Sequence, residues 1–376
     1  MQLPPLGLYI HLPWCERKCP YCDFNSHESA EIPEGAYIDA LLEDLRVDAL
    51  QAQGRAVQTL FIGGGTPSLF SASAIRRLMQ GIAQTIALAP DLEATMEANP
   101  GSAEAEKFAG FRAAGINRLS LGVQSFDDAR LKALGRIHDR NQALAAIAAV
   151  TEAGFDNFNI DLMHGLPGQD EAGASSDLTT ALGFNPPHLS WYQLTIEPNT
   201  VFNKRPPTLP VEDALADIQD HGEALLAEHG MQQYEVSAYS KPGQQCRHNL
   251  NYWSFGDYLG IGAGAHAKIS GEDGVIRRYA KTRGPADYLN SDGNYMANER
   301  RLDAAEATAE FMLYALRLNN GFSIESFEAR SGQELAVIAD KLDSLMERGL
   351  LERNANQIRP TALGRRFLDS VIGEFL

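Results

Sequence analysis

Strand-like and helix-like segments alternate through the first half of this chain, and no other feature narrows the possible folds as far. Apolar, β-branched or aromatic runs predict strands at 6–12 (LGLYIHL), 58–64 (QTLFIGG), 92–99 (LEATMEAN), 118–124 (RLSLGVQ), 158–165 (FNIDLMHG) and 189–196 (LSWYQLTI). Amphipathic stretches with helical spacing lie between several of them, at 36–50, 72–86 and 140–154. A strand that returns parallel to its neighbour needs a crossover long enough for a helix, so this rhythm predicts an α/β fold: a partial or full (β/α) barrel. Polar and glycine-rich stretches gather at the C-terminal ends of these strands, the face on which such barrels assemble their sites.

Beyond residue 300 the rhythm changes. ATAEFMLYALRL (307–318) and LAVIADKLDSLMERGLLE (335–352) predict helices, and GLLERNANQIRPTALG reads as a strand, a turn and a second strand before a last helix. The chain therefore divides into a barrel core at 1–235, an extension at 236–300 and a C-terminal helical, winged-helix-like domain at 301–376. Winged helices often bind DNA, but a net charge of −17 and the lack of a basic recognition helix exclude nucleic acid and favour packing or partner docking.

The segment HLPWCERKCPYCDF places Cys15, Cys19 and Cys22 in a C-x3-C-x2-C spacing directly after the first predicted strand. Tetrahedral zinc sites and cubane iron–sulfur clusters usually take four protein ligands. The fourth cysteine of the chain, Cys246, is remote in sequence. One reading is a zinc site completed by a histidine such as His27, although structural zinc sites usually draw on well-separated ligand pairs. The other is a cubane cluster held by three thiolates, leaving one iron open to a small molecule. So few cysteines, so clustered, argue against a disulfide scaffold and for a reducing, cytoplasmic compartment. No signal peptide is legible at the start, and apolar runs such as ALAAIAAV fall far short of the roughly 18 residues that suggest a membrane span.

Other predicted strand ends carry chemistry. In GGGTPSL, Gly63 to Leu69, the glycines let backbone amides approach a ligand and Thr66 adds a hydroxyl, without the lysine of a phosphate loop. Glu97, Gln124, Arg136 and Asp161 continue around the same rim; singly, each is explained by a hydrogen bond at the barrel mouth. Cysteine spacing, glycine segment and barrel pattern together resemble the radical S-adenosylmethionine (SAM) superfamily. The resemblance implies a [4Fe-4S] cluster on Cys15, Cys19 and Cys22. It further implies that SAM occupies the open iron and that one electron from the cluster splits it to a 5′-deoxyadenosyl radical.

YIHLPWC, FIGGGTPS, RLSLGVQSF, LGRIH and DLMHGLPGQ are similar, more narrowly, to the oxygen-independent coproporphyrinogen III oxidase group, through the barrel and into the C-terminal module. Matched by motif, the resemblance implies one SAM against Tyr9, Gly64, Glu97 and the strand near Thr195. It implies a second against Tyr21, Gly65, Thr66, Gln124, Arg136 and Asp161. His266, ending a glycine-rich turn, is expected to border SAM. His11, His138 and His164 are read as satisfied polar groups.

Two departures redirect this reading. Phe24 stands where the oxidase group has a further cysteine, and Cys15 lacks the longer extension that precedes the motif there. Both match the HemW-type haem chaperones, oxidase-like proteins that bind haem and pass it to respiratory enzymes. CRHNLNYWSF, from Cys246, contains the HNxxYW pattern of that family. The resemblance implies haem contact through His248, Tyr252 and Trp253, with His248 as axial ligand, Asn249 orienting it and Cys246 as a competing thiolate. Lys268, Arg277, Arg278, Lys281 and Arg283 are expected to meet the propionates. The bland alternative is that His248 bonds a loop carbonyl and Trp253 fills the core. Three readings stand, in this order: a haem chaperone serving respiratory haem-enzyme apoproteins with peripheral contact at the inner membrane, a radical decarboxylase of coproporphyrinogen III, and a zinc-stabilised binding module.

Overall fold

The computed structural model describes residues 3–101 and 105–376. Its centre is one twelve-stranded sheet. In chain order the strands are β1 Leu6–Leu12, β2 Val57–Gly64, β3 Leu88–Ala98, β4 Arg118–Gln124, β5 Asn157–His164 and β6 His188–Gln193. There follow β7 Gln232–Glu235, β8 Ala238–Ser240, β9 Asp257–Ile261, β10 His266–Ser270, β11 Ile276–Lys281 and β12 Met296–Arg301. Across the sheet the order is β12-β11-β10-β9-β1-β2-β3-β4-β5-β6-β8-β7. Strands β9 and β1 to β6 run parallel, and the remaining strands at both edges are antiparallel. β7 and β12 are not paired with each other, so the barrel is partial, as the sequence led us to expect. The six strands read from the sequence are β1 to β6, with ends displaced by at most a few residues.

Successive side chains of a strand point to opposite faces, and here the two faces differ in chemistry. Leu6, Leu8, Ile10 and Leu12 of β1, Ala94 and Met96 of β3, and Leu119 and Leu121 of β4 enter one apolar core with helices such as Glu34–Asp48 and Ala72–Thr85. Fully burying such a Leu or Ile contributes about 1.5–3 kcal/mol. The alternate positions, Tyr9, Glu97, Ser120, Asn159, Asp161 and Ser190 among them, line cavities instead. A barrel with a polar lumen is arranged to hold a polar ligand rather than to fill itself with Val and Leu.

The segment 236–300, expected as an extension, continues the same sheet through β8 to β12. Leu259, Ile261, Ile269 and Tyr279 share the barrel's core. After β12 come helices Ala304–Ala315, Ile324–Ser331 and Ala339–Glu347, and a small sheet of Phe322–Ser323, Leu351–Asn354 and Gln357–Pro360. Phe311, Phe327, Leu342 and Ile358 form their own core, joined to the barrel side by Phe255 and Ile276. This is the winged-helix-like arrangement anticipated. Among the described residues no helix is long and apolar enough to cross a membrane.

Candidate functional site

The cysteine loop leaves the C-terminal end of β1 and is pinned there by backbone bonds. Gly65 N–H donates to Leu12 O at 2.8 Å and Thr66 N–H to Trp14 O at 2.7 Å. The short pair Trp14–Cys15 with His27–Glu28 closes the loop, and Lys18 Nζ ties it internally to Phe24 O at 2.9 Å. All four cysteines are free thiols. Cys15, Cys19 and Cys22 open onto one cavity of about 330 Å³ that runs into the barrel lumen. His27 does not line it, and among the described residues no three His, Cys, Asp or Glu side chains close around the space of one ion.

The glycine segment forms the cavity's rim because nothing larger fits. Gly64 has φ +119°, where L side chains are strained, and a Cβ on it would meet the His11 ring at 2.7 Å. A Cβ on Gly65 would lie 2.3 Å from Trp14 O. Glu97 accepts from Gly64 N–H at 3.1 Å. Burial, reinforced by Asp161, pushes its carboxyl up to about 8. Arg136 donates to Asn99 Oδ1 at 2.7 Å and to Gly122 O at 2.6 Å, and its Nη1 lies 3.6 Å from Cys19 Sγ. Asp161 is held by Ser120 and Asn159 at 2.8 and 2.7 Å, and burial raises its carboxyl as well. Gln124 follows a register shift between β4 and β5 and adopts φ 73°, an αL residue that few non-glycine side chains tolerate. That irregularity turns its amide into the lumen, where Tyr192 OH donates to it at 2.7 Å.

A second cavity, of about 600 Å³, adjoins the first and shares Phe24, Gly64 and Glu97 with it. Tyr9, Tyr252, Tyr258 and His266 face this outer space. Of the expected SAM contacts, Tyr21, Gly65, Thr66, Gln124, Arg136 and Asp161 line the lumen, whereas Tyr9 and His266 line the outer cavity and Gly64 and Glu97 line both. Thr195 lines neither. It lies beyond the end of β6, exposed, with its hydroxyl on Glu197 Oε1 at 2.7 Å.

The HNxxYW helix, Arg247–Trp253, does not present its aromatic residues to one space. Only Tyr252 reaches the outer cavity. His248 is 7% exposed and stacks on Phe61 with ring centroids 4.5 Å apart. Its Nδ1 has no partner, and burial drives its pKa down to about 3. Trp253 turns towards the C-terminal domain, beneath Arg317 at 4.3 Å and beside Tyr314. Cys246 sits at the lumen floor as a neutral thiol, 3.6 Å from Glu93, and burial pushes it up to about 11.

The basic cluster expected at the propionates is mostly committed elsewhere. Lys268 is buried against Asp257 at 2.9 Å and Lys281 against Asp44 at 2.6 Å and Asp48 at 2.9 Å. Arg278 pairs with Glu310, and Arg277 lies beside Asp273 at 3.2 Å. An isolated ammonium inside the sheet would pay heavily in lost hydration, so each has gathered carboxylates. Arg283, at the outer cavity, has no such partner among the described residues.

The sequence reading missed several lumen residues, among them Asn99, Arg118, Asn159 and His188, and Asn249, expected beside His248, lines the lumen with them. Arg118 is almost wholly buried and its Nε is unpartnered. The signal lay in strand alternation: Ser120 and Arg118 share the face of Gly122, and Asn159 shares that of Asp161.

Residues 9–175 match the Radical SAM superfamily, and residues 302–367 match the HemN C-terminal domain. A solved structure of coproporphyrinogen III oxidase (HemN) from Escherichia coli, a radical SAM enzyme, superposes with TM-score 0.84 at 25% identity, covering 99% of this chain and 90% of that one. The heme chaperone HemW of Bacillus subtilis is 34% identical over 98% of both chains. That of Escherichia coli is 50% identical over 100% of this chain and 99% of its own. Alike along its whole length to these chaperones, the chain belongs to the HemW heme-chaperone family of the radical SAM superfamily.

Proposed function

We propose that this protein binds a [4Fe-4S] cluster through Cys15, Cys19 and Cys22, holds SAM beside it, and binds haem for delivery to respiratory haem-enzyme apoproteins. The observation that carries the reading is full-length identity of 50% to a heme chaperone, joined to three thiols on the lip of a polar lumen. The fit to the cofactors is chemical. Three thiols without a fourth ligand suit a cubane with one open iron. The glycine rim at Gly64 and Gly65 gives the close backbone approach that a chelated amino acid needs. When bound, the cluster supplies a Lewis-acidic iron and a reducing electron. The chain's part is to orient: Glu97 and Gly64 at the rim, with Gln124, Arg136 and Asp161 deeper in the lumen.

SAM should alter the electron paramagnetic resonance spectrum of the reduced cluster, and an unchanged spectrum at saturating SAM would remove that cofactor from the reading. Binding should also depend on pH through Glu97. Its carboxyl, pushed up to about 8, is largely protonated at pH 7. A ligand that donates hydrogen bonds prefers the ionised form, so affinity should rise from pH 6 to about 8 and binding below 8 should release protons. Calorimetry in buffers of different ionisation heat reads that release, and Glu97→Gln should reduce it to the part that comes from the chelating amino group.

The oxidase alternative is supported by the shared fold with HemN. Against it stands Phe24, 61% exposed at the junction of the two cavities, in the place of the oxidase group's extra cysteine. One anaerobic preparation, tested for both activities, decides. The expected result is a shifted Soret band on adding haem and no decarboxylation of coproporphyrinogen III. Robust turnover without haem binding would establish the oxidase instead.

A further inference from the structure

We propose that haem lodges in the outer cavity with the imidazole of His266, rather than that of His248, on its iron. The inference rests on the haem-chaperone reading and adds to it the place and the axial ligand. Haem is a flat apolar disc with a central Lewis acid and two carboxylates at one edge. A site for it needs room, planar walls, a lone pair facing inward and a cation near the rim.

The outer cavity, of about 600 Å³, combines these. Tyr252 and Tyr258 stack on one another, with centroids 4.2 Å apart and planes 28° off parallel, and present a flat aromatic wall. Phe24 lines the same cavity and adds a further aromatic ring to its wall. The choice of imidazole follows from partners. His11 also lines the cavity, but both ring nitrogens are taken. Its Nε2 donates to Asn25 O at 2.8 Å, which leaves Nδ1 to accept from Tyr9 OH at 2.9 Å. His248 lines neither cavity and is enclosed between Phe61 and Tyr252. His266, the first residue of β10, is exposed on the cavity wall, and its ring has no hydrogen-bond partner among the described residues. Arg283 supplies the cation. Its guanidinium makes only a long contact, 3.4 Å, with Asn25 Oδ1 and pairs with no carboxylate.

Haem titration of anaerobically reconstituted protein, followed by the Soret band, tests the assignment. Wild type and His248→Ala should give the same shifted band. His266→Ala should lose the shift and regain it on adding free imidazole. Because His266 is exposed, this variant should keep its fold, which circular dichroism verifies. Arg283→Glu should weaken haem several-fold and leave the affinity for haem dimethyl ester unchanged, since the ester lacks the carboxylates. A His266→Ala spectrum superimposable on wild type, or loss of the shift in His248→Ala alone, overturns the inference and leaves the chaperone reading standing. A wild-type protein that gives no shift overturns that reading itself.

Discussion

Alanine at Cys15, Cys19 or Cys22 should abolish the four-iron cluster outright, whereas Cys246→Ala should retain it. Three thiolates are the minimum that fixes a cubane while leaving one iron open, and no other cysteine lines the cavity at its mouth. Cys246 opens onto the same lumen but lies at its floor, where its thiol donates to the Glu93 carboxylate. Burial and the neighbouring Glu93 carboxylate push its thiol up to about 11. It cannot migrate to replace a lost ligand, because it precedes the helix Arg247–Trp253, which is packed against the barrel. Iron and acid-labile sulfide per chain after anaerobic reconstitution measure the outcome. A full complement in Cys19→Ala would sink the assignment of all three. The same assay checks Cys246→Ala, which should match wild type even if removing a buried sulfur costs about 1 kcal/mol of stability.

What the sequence disclosed and what it withheld divide along a physical line. Strands β1 to β6 were legible because alternating or continuous apolar runs separated by helical periods leave few options. The lip of the site was legible because cysteines and glycines at fixed spacing have few other uses. Gln124 was found from its place at a strand end, and Arg136 and Asp161 from the motifs LGRIH and DLMHGLPGQ; the lumen gathers all three with Tyr21 and Thr66. The HNxxYW segment is different. A helix of seven residues points its side chains around a full circle, so Trp253 turns away to Arg317 while His248 and Tyr252, four residues apart, touch each other and only Tyr252 reaches the outer cavity. Basic residues misled for a related reason. Charge is visible in a sequence, but the carboxylates that claim it, Asp44 and Asp48 for Lys281, lie far back in the chain.

Lys281→Met should destabilise the fold by about 3–5 kcal/mol at neutral pH, the typical cost of breaking a buried ion pair on one side. The Lys281 ammonium lies 2.6 Å from Asp44 and 2.9 Å from Asp48, with all three side chains at most 2% exposed. Asp44 also accepts from Tyr288 OH at 2.7 Å and from Gly262 N–H at 3.2 Å, and Asp48 from Tyr279 OH at 2.9 Å. Burial raises both carboxyls, and the lysine is the chief influence opposing that rise. Without it they shift further upward. An acid whose folded pKa exceeds its unfolded value binds more protons when folded, so stability falls as pH rises between the two values. The deficit of Lys281→Met should therefore be smaller at pH 5 than at pH 7.5, and adding Asp48→Asn should recover part of it. Thermal denaturation at both pH values gives the comparison; a deficit under about 1 kcal/mol at pH 7.5 would contradict the account. The consequence reaches the site through the turn that Asp44 holds by Gly262. The next residue, Ala263, donates its N–H to Tyr37 OH at 2.8 Å and accepts at its carbonyl from Asn25 Nδ2 at 2.9 Å, linking the turn to the cysteine loop. His266 begins the strand that leaves this turn. A lysine that looked like a propionate contact is thus spent, through its two carboxylates, on fixing the wall of the outer cavity.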